Sequence, residues 1–277
     1  MNGSDITQLI ADCYSGDPSK QCPAIFELQE LEHSDAIPAL LHMLNSSEWN
    51  IRSLSVETLG QPGYGDSEKI GFRLVQMLTD SEALVRDEVV NALARLNYVP
   101  ALSLIQSLLE NEPDWIVRAS AAEALGDLAK AEDVETLNSL KIALTDPVRS
   151  VRDYAASSIG ILGTSELLPI LKTYCDEEDA RSKVEVLIAM YRLGDREQLK
   201  VFLELLNESD DFLITVALNI IGDLANRRIP EHLSLDLPAL KEFLLKVVEG
   251  FPLEQTHARR VLDSLELLEP FLGKSCP

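Results

Sequence analysis

The sequence predicts an all-α fold, a right-handed α-solenoid (superhelix) of about eight antiparallel helix pairs that runs through residues 1–277 as one array. Two observations point there before any motif is read. Hydrophobic residues make up 46% of the chain while aromatic residues make up 5%, a Leu- and Ala-rich mixture that favours helices over strands. Apolar residues also recur at three- and four-residue intervals, as in Leu40, Leu41 and Leu44, the spacing of one helix face.

The third observation is an internal repeat. Ser46–Arg52, Asp80–Arg86, Glu112–Arg118 and Asp146–Arg152 align without gaps. Each begins with an acid or hydroxyl residue and ends six positions later in an aliphatic residue followed by Arg. Glu177 to Lys183 continues the series with Lys in the Arg slot, and Glu208 to Ile214 is a decayed copy. The last positions fall at 52, 86, 118, 152, 183 and 214, so the intervals are 34, 32, 34, 31 and 31 residues. A period of that length is the mark of stacked supersecondary units, each unable to bury its apolar face alone.

Each unit resolves into two helices. The one before the acid is amphipathic, over Ile37–Leu44, Ile70–Leu78, Leu102–Leu109, Leu137–Leu144, Leu168–Tyr174 and Leu199–Leu206. The one after the Arg is rich in small residues, as in Ala119 to Gly126 and Asp153 to Gly160, so neighbouring helices are expected to approach closely. Gly126 and Gly160 are read as helix-ending residues. Pro38, Pro100, Pro169 and Pro238 are placed near helix starts, where a missing N–H matters little. Within the array, residues 1–33 form an N-terminal cap pair, 34–225 the regular repeats, and 226–277 an insertion with a C-terminal cap pair. The first pair is Ser4–Glu32 and the last about Leu237–Leu268. Longer connections are expected at Gln61–Ser67 and Asn226–Asp236.

The D-x-x-x-x-V-R-x-x-A-A-x-x-(L/I)-G shape of Asp146–Gly160, with Glu112–Gly126 and Asp80–Leu93 beside it, resembles the short bacterial HEAT repeats called phycobilisome-lyase-like. The resemblance covers residues 34–225 well and the ends weakly. It implies the fold strongly and the function poorly, since similar proteins include bilin lyase subunits, iron-associated hydroxylases, toxin-neutralising proteins and scaffolds. The Trp, Gly and Tyr pattern of tetratricopeptide arrays and the T-P-L-H signature of ankyrin repeats are absent.

Composition narrows the function. Lys+Arg number 24 against 46 Asp+Glu, a formal net charge of −22. That field repels nucleic-acid phosphate and anionic lipid and attracts basic partners. Neither nucleic acid nor membrane is expected as a partner. Cys13, Cys22, Cys175 and Cys276 form no C-x-x-C pair, so neither a zinc module nor a disulfide framework is expected. Met1 to Asp12 lacks a signal-peptide pattern and no window has the apolar length of a membrane span, so a cytoplasmic location is expected.

No catalytic residue, metal site or cofactor is read from the chain. His33, His42, His232 and His257 include no i,i+4 pair and no His-Glu dipeptide, which an iron-binding hydroxylase of similar fold needs. Gly60, Gly63 and Gly65 lack phosphate-loop spacing. The recurring Arg52, Arg86, Arg118 and Arg152 are read as an inter-repeat ladder of ion pairs and hydrogen bonds.

The second helices of stacked pairs usually line the concave face. Positions two and five residues after each Arg should face outward there. They read Leu54, Glu88, Ser120, Tyr154 and Glu185, then Glu57, Asn91, Glu123, Ser157 and Ile188. The expected partner-binding set is therefore Glu57, Asp87, Glu88, Asn91, Glu123, Asp127, Asp153, Tyr154 and Glu185, an acidic strip with an aromatic anchor. The function predicted is a non-catalytic scaffold, adaptor or inhibitor that holds a basic protein, with an immunity-type neutraliser or chaperone as narrower forms. The alternative implied by the resemblance is a bilin lyase or isomerase-like subunit acting on phycobiliproteins.

Overall fold

Sixteen α-helices and no strand occur among the described residues of the computed structural model. It describes residues 6–177, 180–206 and 210–272, without the side chains of 176–182. The helices are α1 Ile6–Cys13, α2 Pro18–Leu31, α3 Ile37–Met43, α4 Trp49–Leu59, α5 Ser67–Val75, α6 Ala83–Arg95, α7 Leu102–Asn111 and α8 Trp115–Leu128. They continue as α9 Val134–Ala143, α10 Arg149–Leu162, α11 Leu168–Glu177, α12 Ala180–Arg192, α13 Glu197–Leu206, α14 Asp211–Asn226, α15 Leu233–Gly250 and α16 Gln255–Leu268. Taken two at a time they are the eight expected pairs, and the chain is an all-α solenoid of HEAT-like units.

The chain forms two units. The first takes residues up to Ala129 together with Asp146–Tyr154, and the second takes Lys130–Thr145 together with residues from Ala155 onward. In the first, α2, α4, α6 and α8 stack one on the next. In the second, α12, α14 and α16 do the same. The aliphatic residue before each Arg is fully buried at Ile51, Val85, Val117 and Val151. Small residues in the same helices, Ala121, Ala122, Ala155 and Ala156, are buried too. Burying such faces is the main drive for stacking, worth roughly 25 cal/mol per Å² of apolar surface.

Helix starts follow from side-chain chemistry. Asp17, Asp114, Asp133 and Asp210 cap α2, α8, α9 and α14 by accepting from backbone N–H groups of the first turn, satisfying donors that a helix leaves open.

The arginines form the ladder the repeat predicts. Arg52 makes a two-pronged pair with Asp80 at 2.8 and 2.7 Å. Arg86 does so with Glu112 at 3.2 and 2.5 Å, and Arg118 with Asp146 at 2.8 and 3.1 Å. The remaining Nη1 of each turns back to its own turn, donating to the carbonyls of Ser46 (2.9 Å), Asp80 (2.7 Å) and Glu112 (2.9 Å). Arg152 repeats the last contact with the Asp146 carbonyl at 2.9 Å. The acids also brace the turns they sit in, accepting from the N–H groups two residues on, of Glu82 (3.0 Å), Asp114 (3.2 Å) and Val148 (2.8 Å). One guanidinium thus ties two successive turns together, a geometry that Lys cannot reproduce. The Glu177 side chain and Glu208, read as the next two acids, lie outside what the structure describes, as do Cys276 and the side chains of 181–182.

Two local readings change. Gly126 and Gly160 do not end helices; they lie inside α8 and α10. A Cβ on Gly160 would meet the Cα of Ala189 at 2.6 Å, so this glycine lets α12 approach. Left-handed conformations fall instead at Glu32, Asn97 and Gly194, just past α2, α6 and α12. Pro238 is likewise not at a helix start: α15 begins at Leu233, which shortens the connection after α14 to residues 227–232. Tertiary anchors explain the early start. Leu233 and Leu237 are buried, and the His232 ring nitrogen lies 2.9 Å from the Tyr191 carbonyl. Asp236 accepts from the Tyr191 hydroxyl at 3.1 Å and is forked by Arg196 at 3.0 and 2.7 Å. Arg192 donates to the carbonyls of Arg227 (2.5 Å) and Arg228 (3.1 Å), pinning the connection itself.

Candidate functional site

Eight of the nine residues expected to bind a partner fall in the first unit, on α4, α6, α8 and the second turn of α10; Glu185 is on α12 in the second. In the first unit, the direct stacking of α4, α6 and α8 sets acids from successive repeats side by side.

These carboxylates are less open than a surface strip. Glu57 is half-buried and accepts from the Gln29 amide at 3.3 Å. Asp87 accepts a hydrogen bond from the Ser120 hydroxyl on the next second helix and from the Asn91 amide at 3.4 Å. Glu88 pairs with Arg95 at 2.6 Å. Burial pushes the pKa values of Asp87 and Glu88 above the ordinary carboxylate range. Ser120 and Asn91 oppose the rise at Asp87, and Arg95 opposes it at Glu88. Glu57 adds to the rise at Glu88, which records the closeness of the two acids. Glu123 is half-buried and Asp127 exposed. Asp153 lies 3.8 Å from Arg149, and Tyr154 is 40% exposed at the start of α10. Glu185 is half-buried beside Arg192.

Two positions expected to face outward do not. Leu54 and Ile188 are buried at 9% and 3% exposure. They sit at the same register as Glu88 and Glu123, which stay half-buried, so it is the apolar members of the stripe that turn into the core. Gln29 and Arg95 were missed by the sequence reading. Arg95 lies seven residues after Glu88, two helical turns along one face, and that spacing is the signal that would have found it.

No described group of three or more His, Cys, Asp or Glu is gathered as a metal site. His42 packs on Tyr14 with ring centres 4.9 Å apart, His232 packs edge-on against Tyr191 at 4.6 Å, and His257 lies 3.6 Å from Glu254. No described helix is long and apolar enough to cross a membrane. A groove of about 410 Å³ lies between α13 and α15 in the second unit, walled by Arg196, Lys200, Asp236, Phe243 and Lys246. Its cations face carboxylates, with Arg196 on Asp236 at 2.7 Å and Lys246 on Glu242 at 2.8 Å. None of the nine expected residues lines it.

Comparison with known proteins places this architecture. The HEAT repeats model matches residues 73–152 and 137–222, more than half of the chain, and a single HEAT repeat matches 36–61. An uncharacterized phycocyanin operon protein Z from Pseudanabaena tenuis is 25% identical over 166 residues, covering 57% of this chain and 81% of that protein. The complex of CpcE and CpcF of phycocyanin lyase from Nostoc aligns with a TM-score of 0.61 at 20% identity, over 84% of this chain and 94% of the matched one. A designed armadillo repeat protein in complex with the peptide (KR)4 aligns with a TM-score of 0.52 at 18% identity, over 69% of this chain and all of the other. The repeat spacing, the arginine ladder and the family match agree: the chain belongs to the HEAT-repeat family.

Proposed function

We propose that this protein is a non-catalytic, cytoplasmic scaffold that holds a basic protein segment on the second-helix face of its first unit. The observation that carries the reading is the run of acids on consecutive stacked helices, from Glu57 through Glu88 to Glu123 and Asp127, closed by the exposed ring of Tyr154. Partly desolvated carboxylates attract cations more strongly than fully hydrated ones, and the exposed ring of Tyr154 offers the kind of aromatic anchor that interfaces favour. The (KR)4 guest of the designed armadillo protein is a precedent for a basic segment on a fold of this kind. Adaptor, inhibitor and immunity-type neutraliser are all forms of such holding.

The test uses a Lys/Arg peptide on a sensor surface at two salt concentrations. Glu123→Lys with Asp127→Lys is expected to slow association and flatten its salt dependence. Tyr154→Ala is expected to speed dissociation. Unchanged association in the folded double variant would remove the acidic face from the interaction.

A second reading is a bilin-lyase-type subunit acting on phycobiliproteins. The phycocyanin operon relative and the likeness to the CpcE and CpcF complex favour it. It is tested by absorption after incubation with a bilin: a stable shifted band supports it, and an unaltered free-bilin spectrum opposes it.

A further inference from the structure

The arginine ladder builds a second surface that the acidic-face reading does not use. Because Arg52 reaches Asp80, and Arg86 reaches Glu112, the turns that start α4, α6 and α8 are held side by side along one edge of the first unit. Each turn places a large apolar side chain in solvent at the start of its second helix: Trp49 is 45% exposed, Leu84 46% and Trp115 44%. The helices behind them bury most of their other large aliphatic residues, Ile51, Val85, Leu93, Val117 and Leu125 among them. Each exposed side chain is flanked by an acid of the same turn. Glu48 and Glu82 are exposed and Asp114 is half-buried. The ladder guanidiniums point into Asp80, Glu112 and Asp146, where their side chains are only 12–14% exposed, so the outer rim of this edge is apolar and acidic.

The geometry points to this edge as a docking rail for a basic amphipathic helix of a partner protein. Neighbouring packed helices stand roughly 8–10 Å apart, so the rail offers apolar side chains at about that repeat. An α-helix returns to the same face every seven residues, about 10.5 Å along its axis. A helix with apolar residues seven apart meets Trp49, Leu84 and Trp115 in turn, while Lys or Arg on its flanks meets Glu48, Glu82 and Asp114. An acidic helix is repelled, and a basic segment without the apolar stripe leaves the rail uncovered.

Trp49 and Trp115 are the two tryptophans of the chain, so intrinsic fluorescence reports on the rail directly. The probe is a Trp-free Leu/Lys peptide patterned as a heptad amphipathic helix, titrated into the full chain; its control is a scramble of the same composition. The heptad peptide is expected to shift Trp emission to the blue saturably, and the scramble to bind far more weakly. Leu84→Ser changes neither tryptophan and no buried side chain. It is expected to weaken the heptad peptide about tenfold, as loss of one apolar anchor does, with circular dichroism unchanged. No shift, equal binding of the scramble, or undiminished binding by the Leu84→Ser protein overturns the rail. Those failures leave the second-helix reading standing if a Lys/Arg peptide still responds to reversal of Glu123 and Asp127.

Discussion

Arg118→Ala takes one rung out of the ladder, and the structure gives its magnitude. The guanidinium forks Asp146 at 2.8 and 3.1 Å and donates to the carbonyls of Glu112 at 2.9 Å and Pro113 at 3.0 Å. Both charged side chains are nearly out of solvent, at 13% and 10% exposure. Removing one member of such a pair costs more than a hydrogen bond, because the other keeps its desolvated charge. Asp146 retains the Val148 N–H at 2.8 Å, which softens the loss. Charged hydrogen bonds contribute about 1.5–3 kcal/mol and a broken buried pair about 3–5, so a loss of about 3 kcal/mol is expected. Arg118→Lys keeps the charge without the fork and should lose about half as much. The control is Lys200→Ala, whose carboxylate partner Glu204 lies 4.0 Å away with the two side chains 72% and 64% exposed; it should cost less than about 0.5 kcal/mol. The assay is urea unfolding by far-ultraviolet circular dichroism with hydrogen exchange, since repeat arrays unfold in parts. Exchange should quicken in α8 and the first turn of α10. A loss below about 1 kcal/mol, or one equal to that of Lys200→Ala, refutes the structural reading of the ladder.

Further outcomes are expected. Gly160→Ala should destabilise by about 1–3 kcal/mol in thermal unfolding, because its Cβ meets the Ala189 backbone at 2.6 Å, which cannot rotate away. The acid limb of stability should depend on Asp80 and Asp146. Burial raises their pKa values, but the guanidiniums of Arg52 and Arg118 and the N–H groups of Glu82 and Val148 outweigh it and hold both below the ordinary range. A depressed folded value means stability that is present above about pH 4 and is lost as pH falls through that value. Asp146→Asn should therefore be weaker near neutrality and show a flatter acid limb; an unchanged limb contradicts the assignment. Cys13 is buried, and burial first, then Asp12, pushes its thiol up to about 11. It should resist alkylation in folded protein at mildly alkaline pH and react on unfolding, as mass spectrometry of labelled peptides would record.

Much of the candidate site was legible at the level of helix and register. Glu57, Glu88 and Glu123 were assigned to second helices from the distance to the preceding Arg, and they lie there. Their chemical state was not legible. The Ser120 hydroxyl that engages Asp87 is 33 residues away, and the Gln29 amide on Glu57 is 28 away. Such contacts depend on how far neighbouring helices slide and rotate, which no local pattern records. The apolar edge was hidden for a related reason: Leu84 is one residue out of register with Trp49 and Trp115, and that all three stay exposed is decided by how the turns pack.

The sequence by itself determined the helix pairs, the length of the unit and the identity of the rungs. Helical periodicity and capping act over three or four residues, and a near-constant repeat brings each Arg to the next acid, 28 residues on for Arg52 and Arg118 and 26 for Arg86. Tertiary structure decided the rest: that Gly160 makes room for Ala189 instead of ending a helix, that Leu54 and Ile188 turn inward, and that α15 starts at Leu233 because Tyr191 and Arg196 hold Asp236. Each of these is set by close packing between elements far apart in the chain, where tenths of an ångström decide which side chain fits and which faces water.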